Sequence, residues 1–82
     1  MSIGNLSVPQ IKAARALLGW SQDDLAARSG VSIPTIARLE AEGGELGGRA
    51  ETGEKIRRAL EKAGIEFING NSPGVRVKGK KA

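Results

Sequence analysis

Residues 20–40 decide the fold, and they read WSQDDLAARSGVSIPTIARLE. Ser21 is followed three positions later by Asp24, a pairing that predicts a capping box at the start of a helix. The helix is expected to run over residues 22–29. It should end at Gly30, because glycine accepts the left-handed conformation found after a helix terminus.

A second helix is predicted to begin shortly after the first one ends. Ser32 is its capping residue, and the helix is expected over residues 33–42, before a glycine-rich stretch at 43–48 that reads as a loop. A connection as short as Gly30-Val31-Ser32 makes two helices cross at about 90–120°. The sequence therefore predicts two helices that cross steeply, joined by a tight turn.

The apolar side chains of these two helices fall on one side. The shared interior is expected to contain the small Ala26, which allows close helix approach, together with Leu25, Val31, Ile36 and Leu39. The outer face of the second helix is then free to meet a partner, and it comprises Ser32, Ile33, Pro34, Thr35, Ala37 and Arg38.

Three runs carry a family resemblance: WSQDDLA at 20–26, SGVS at 29–32 and TIARLE at 35–40. Together they resemble the helix-turn-helix of lambda-repressor-like, Cro-type regulators, also called the xenobiotic-response-element family. The alanine, the glycine and four apolar positions all fall where that motif needs them. The resemblance covers roughly residues 8–63.

The resemblance implies a set of DNA contacts. In such proteins the recognition helix lies in the major groove, so the side chains implied to face bases or adjacent phosphates are Ser32, Ile33, Pro34, Thr35 and Arg38. Gln22 would bind a phosphate at the start of its helix. Arg15 and Glu40 match a pair that joins the first helix to the recognition helix, where the arginine can also approach the DNA backbone.

Two further helices are predicted around this pair. Ser7 with Gln10 forms a capping box for a helix over residues 8–18, whose expected apolar face is Ile11, Ala14, Leu17 and Leu18. A fourth helix is predicted from about Thr52 to Gly64, because apolar residues recur there at helical spacing at Ile56, Ala59, Leu60 and Ala63.

A β-hairpin is predicted after the fourth helix, from alternating β-favouring runs at 65–68 and 75–78 with turn formers between them. Relatives usually have a fifth helix there, through which dimers form. Because exposed strand edges invite another strand, the hairpin is the predicted dimerisation element, through Ile65, Phe67, Ile68, Val75 and Val77.

Several of these side chains also have a simpler interpretation. Thr35 could hydrogen-bond within its own helix, and Arg15 with Glu40 is better explained as a structural pair than as a DNA contact. Trp20 is interpreted as a hydrophobic staple on Leu25. The apolar Ile33 and Pro34 stand where many relatives carry long polar side chains, so contact with a thymine methyl group is expected to replace some hydrogen bonds to bases.

Composition excludes several classes of protein. The 82 residues contain no cysteine and no histidine, which removes disulfides, Cys/His zinc sites and histidine-activated nucleophiles. No enzyme activity, metal, cofactor or small-molecule ligand is therefore expected. No apolar run approaches the ~18 residues of a membrane span, so the sequence predicts a cytoplasmic protein without membrane contact.

The positive charge lies at the carboxyl end. Residues 1–66 carry nine basic and nine acidic side chains, so the net charge of +4 comes from Arg76, Lys78, Lys80 and Lys81. Such a cluster is either a solvated tail or a contact to a polyanion.

The sequence thus predicts a mainly α protein: a lambda-repressor-like bundle of about four helices (1–64), a β-hairpin (65–78) and a basic tail (79–82). The leading functional hypothesis is a bacterial or phage-type transcriptional regulator, a homodimer on double-stranded DNA that reads an inverted-repeat operator. The alternative is an interaction protein, such as an antitoxin or antiactivator, that keeps the same fold.

Overall fold

The computed structural model describes residues 6–42, 50–69 and 73–78. Its elements in chain order are α1 (Val8–Leu18), α2 (Gln22–Ser29), α3 (Ile33–Glu42), α4 (Ala50–Lys62), β1 (Ile65–Ile68) and β2 (Gly74–Val77). The predicted fold class is confirmed, and so are the bounds of the first three helices. None of the described helices is long and apolar enough to cross a membrane. The loop at 43–48 and the tail at 79–82 lie outside the described residues.

Three details differ from the sequence predictions. Helix α4 begins at Ala50, before the predicted Thr52, because its first turn is polar and gives no apolar period to detect. Strand β2 spans Gly74–Val77 and not 75–78, a shift of one residue at both ends, since Gly74 pairs with Ile68. Leu17 was expected on the buried face of α1 but is 51% exposed, because that helix packs on the core through neighbouring positions instead.

Helix ends are set by local hydrogen bonds, as predicted. Ser7 and Ser21 each accept a hydrogen bond from the backbone three residues on, and each capping box is completed by the side chain at that position. Helix α2 ends at Gly30, whose φ of 78° lies in the left-handed region. A side chain would be strained in this conformation, which turns the chain from α2 towards α3.

The core lies where the helices and the hairpin meet. Its buried members are Leu6, Ile11, Ala14, Leu25, Val31, Ile36, Ile56, Ala59, Leu60 and Ile65. Leu18, Trp20, Ala26 and Leu39 pack partly buried against them. Each fully buried Leu or Ile in such a core typically contributes about 2–5 kcal/mol against replacement by alanine.

The hairpin is part of this packing. Strand β2 lies against α1 and β1 against α4. The strands are antiparallel, with Ile65 opposite Val77 and Phe67 opposite Val75. Because side chains alternate across a strand, these four share one face of the hairpin, and Ile65, Phe67 and Val75 pack from it against the core. The helices thus supply the support that an isolated hairpin lacks in water.

Gln10 fastens the hairpin to the start of α1. Its side chain is buried, and its Oε1 accepts hydrogen bonds from the backbone N–H and the hydroxyl of Ser7. Its Nε2 donates to the carbonyl oxygens of Ile68 (3.2 Å) and Gly74 (3.1 Å) and to Oδ1 of Asn69 (3.4 Å). One buried amide therefore satisfies both its ends, which is the condition for burying it without a large cost.

Candidate functional site

Helix α3 presents two contrasting faces. Its inner face carries Ile36 and Glu40, both almost completely buried. Its outer face begins with an exposed turn and continues one turn later at an exposed arginine; these residues are Ser32, Ile33, Pro34 and Arg38. The outer face is thus available to a partner, while the inner face fixes the orientation of the helix.

The first turn of α3 is held by two hydroxyl groups. The Ser32 hydroxyl donates to Oγ1 of Thr35 at 2.9 Å and accepts the backbone N–H of Thr35 at 3.4 Å. The Ser32 hydroxyl therefore serves as the helix cap, as its position predicts. The Thr35 hydroxyl accepts the hydrogen bond from Ser32 and can still donate its own proton.

Arg38 contrasts with the arginines of α4. Arg57 and Arg58 both bind Glu54, and Arg57 also binds Glu61. Among the described residues, no carboxylate lies within salt-bridge distance of Arg38, whose side chain is exposed. The guanidinium on the outer face of α3 is therefore free of internal ion pairs there.

A three-residue network locks the inner face. Arg15 donates from Nε to Oε2 of Glu40 at 2.8 Å and from Nη2 to Oε1 at 2.7 Å, and its Nη1 donates to the Trp20 carbonyl at 2.8 Å. Gln22 Nε2 donates to Oε1 of the same carboxylate at 3.0 Å. One buried carboxylate thus joins α1, α2 and α3.

The network also sets the protonation of its members. Burial raises the pKa of Glu40, but hydrogen bonds from Arg15 and Gln22 and the charges of Arg15 and Lys12 outweigh it, so the pKa lies below its ordinary value. The hydrogen bond to Glu40 raises the pKa of Arg15 against the opposing effect of burial. Both groups are charged at neutral pH, as a tight ion pair requires.

Comparison with known proteins agrees with this geometry. A family model described as Helix-turn-helix matches residues 11–49, which include all of α2 and α3 and most of α1. Residues 11–49 are a Cro-type, lambda-repressor-like helix-turn-helix domain. The resemblance inferred from residues 20–40 is therefore confirmed. No curated protein matched the chain.

In this helix-turn-helix domain, Gln22 is turned inward. Its amide contacts Glu40, while Asp23 and Asp24 occupy the same first turn of α2, and the phosphate contact predicted for Gln22 stays a prediction. The positive amino end of α2 stabilises these two carboxylates, and their negative charge repels a phosphate there. The contacts of Gln22 thus favour a positioning role.

Trp20 lies at the edge of the helix-turn-helix core, partly buried against it. The guanidinium of Arg28 stacks over its indole ring, 4.9 Å from the ring centre. Such a pair typically contributes about 0.5–1 kcal/mol at an exposed site. The position of Trp20 fits its interpretation as a staple.

The five hairpin residues predicted for dimerisation differ in accessibility. Ile65 is fully buried in the core of its own chain, and Phe67 and Val75 pack partly buried against that core. Ile68 and Val77 remain 37% and 42% exposed. Of the five side chains, Ile68 and Val77 are therefore the two most accessible to another molecule.

An open, mainly apolar groove flanks the turn of the helix-turn-helix domain. Its volume is about 490 Å³, and its lining residues are Asp23, Ala26, Ala27, Gly30, Val31, Ser32 and Ile33. Ile33 thus forms one wall of the groove as well as part of the outer face of α3.

Sequence reasoning missed two contributors to the site. Gln22 was not recognised as the third member of the Arg15–Glu40 network, because its partner lies 18 residues away. Lys12 was not singled out, although its charge acts on Glu40 and it is exposed on α1. Its spacing of three residues from Arg15 places it on the same helix face, and this signal could have identified it.

Proposed function

We propose that this protein is a sequence-specific transcriptional regulator that binds double-stranded DNA as a homodimer, with α3 in the major groove of an inverted-repeat operator. The observation that carries the proposal is the two-faced α3. Its inner face is fixed by a buried ion pair, and its outer face offers an arginine free of ion pairs among the described residues.

Arg38 is proposed to select bases. An arginine reads guanine through two hydrogen bonds to O6 and N7 in the major groove, a contact that typically discriminates by about 1–3 kcal/mol. Arg38→Ala should weaken binding to the preferred duplex by that amount and change nonspecific binding much less. Arg58→Ala, which removes an exposed arginine from α4, is the matched control. Equal losses on preferred and random duplexes would contradict this role.

Phosphate contacts are proposed to supply the sequence-independent part of the affinity. Thr35 and Ser32 carry hydroxyls in the first turn of α3, and Lys12 and Arg15 are cations of α1 that act on Glu40 of α3. Such contacts release counterions, so affinity should fall steeply with salt.

The hairpin is proposed to join two chains through the outer edge of β2. The Lys78 N–H donates to the Gly64 carbonyl at 2.7 Å, so hydrogen-bonded pairs alternate along the ladder and the backbone groups of Val75 and Val77 point away from β1. Within the described residues no third strand pairs with this edge. A second copy of β2 would complete it and relate the two α3 helices by two-fold symmetry, with ~34 Å between half-sites.

Val77→Pro tests this assembly. Proline removes the outward N–H of Val77 without touching the ladder to β1, whereas Val77→Ala keeps the N–H and serves as the control. Sedimentation should find a monomer for the proline variant and a dimer for the alanine variant. A proline variant that remains dimeric would place the interface elsewhere.

Selection of bound sequences from random duplex DNA tests the function as a whole. Recovery of an inverted repeat is the expected result. The second candidate function, a protein-interaction module such as an antitoxin or antiactivator, is favoured by the apolar groove beside Ile33. Failure to enrich any sequence would favour that candidate over DNA recognition.

A further inference from the structure

The first turn of α3 exposes hydrocarbon where a DNA-reading helix could carry hydrogen-bonding groups. Ile33 is 43% exposed and Pro34 beside it is exposed as well. Neither side chain can donate or accept a hydrogen bond. Direct recognition by these two residues must therefore depend on apolar contact.

The fold does not need Ile33 for its core. Val31 and Ile36, on either side of it, are buried and supply the apolar contacts of the turn and of the inner face of α3. Ile33 lies outside that buried cluster. Its β-branched side chain is also stiff, so little conformational freedom is lost when a partner covers it.

Among unmodified base pairs, only thymine–adenine offers a methyl group in the major groove. The C5 methyl group of thymine projects there, and 5-methylcytosine carries the same group on a different base pair. Neither adenine, guanine nor unmodified cytosine presents such a group on its major-groove edge. The chemistry of Ile33 therefore matches the methyl group itself, whichever pyrimidine carries it.

We propose that Ile33 is a specificity-determining residue that selects duplex sites with a pyrimidine 5-methyl group at the position it contacts. This inference rests on the proposed DNA binding by α3. It adds that one operator position is read without hydrogen bonds. At that position, 5-methylcytosine substitutes for thymine.

The test uses the full-length protein and the duplex obtained by selection. Each thymine is replaced in turn by deoxyuridine, which removes the methyl group and keeps every hydrogen-bonding atom. At one thymine per half-site the affinity should fall about fourfold, the equivalent of ~0.8 kcal/mol for one buried carbon group. A duplex with 5-methylcytosine–guanine in place of this thymine–adenine pair should be bound more tightly than a duplex with cytosine–guanine there, by a similar factor.

Variants connect the effect to Ile33. Ile33→Ala should bind the thymine and deoxyuridine duplexes equally, while Ile33→Val should keep part of the preference. Leu17→Ala removes a comparably exposed aliphatic side chain from α1, and it should keep the full preference. Thermal melting of each variant confirms that the fold is retained.

Three results would overturn the inference, and they differ in meaning. If the wild-type protein selects a duplex but binds thymine and deoxyuridine equally at every position, methyl recognition is wrong and the proposed function stands. If no duplex is selected at all, the proposed function fails and this inference fails with it. A preference that survives in Ile33→Ala would assign the methyl contact to another residue.

Discussion

Replacing Arg15 by alanine should destabilise the protein by about 3 kcal/mol. Arg15 donates two hydrogen bonds to Glu40 and one to the Trp20 carbonyl, and its loss leaves the buried carboxylate with Gln22 as its remaining donor. Breaking a buried ion pair from one side typically costs ~3–5 kcal/mol. The lower end applies because the Arg15 side chain keeps 18% of its exposure. A domain of this length is stable by only about 4–12 kcal/mol.

A double-mutant cycle separates the pair from the rest of the fold. Glu40→Ala alone should cost less than Arg15→Ala, because the arginine that remains is close enough to solvent to be hydrated. The double variant should be less damaging than the sum of the two by at least ~1 kcal/mol, since the second change removes a group that has already lost its partner. Arg15→Met with Glu40→Leu should recover most of the loss.

Urea unfolding followed by circular dichroism measures these free energies. Arg58→Ala is the control, because its ion pair with Glu54 lies on the surface, where ion pairs contribute little to stability. Additive losses for Arg15 and Glu40, or an Arg15→Ala loss no larger than that of the control, would refute the reasoning.

Three further predictions concern the hairpin, acid stability and the tail. Gln10→Ala should speed amide exchange in the hairpin more than in α3, because two hairpin carbonyls lose a donor; equal effects would show that Gln10 does not fasten the hairpin. Because the pKa of Glu40 is lowered from an ordinary 4.5, its ionised form stabilises the fold above that pH. The difference in stability between wild type and Glu40→Gln should therefore shrink as pH falls through the lowered pKa; a constant difference in acid titrations would contradict this. Neutralising Lys78, Lys80 and Lys81 should flatten the salt dependence of DNA affinity without changing site preference. An unchanged slope would mean that these lysines are solvated and do not contact DNA.

The sequence predicted most reliably what local chemistry decides. Ser7, Ser21 and Gly30 set the ends of their helices through contacts within a few residues, and those ends were predicted correctly. The start of α4 was not, because its polar first turn leaves no periodic signal. The clamp of Gln10 on the hairpin spans 58 residues to Ile68, and nothing near Gln10 in the sequence indicates so distant a partner.

The same limit applies to the candidate site. The outer face of α3 could be predicted, because burial of Ile36 fixes which side of the helix turns outward. The partner of Gln22 could not be predicted, because a residue at the start of a helix can contact either a phosphate or an internal carboxylate. The contact of Gln22 with Glu40 depends on the approach of three helices, and the phosphate contact stays a prediction.

The clamp of Gln10 has a consequence for synthesis of the chain. A growing polypeptide contains the residues of α1, α2 and α3 once Glu42 has been added. Gln10 acquires its acceptor on Gly74 only 32 residues later. At about 5–20 residues per second this interval lasts roughly 2–6 s. Until Gly74 has been added, the amide of Gln10 lacks one of its acceptors, and the hairpin that packs against α1 and α4 is incomplete. Helices α1, α2 and α3 are therefore synthesised before the hairpin that packs against α1 and α4.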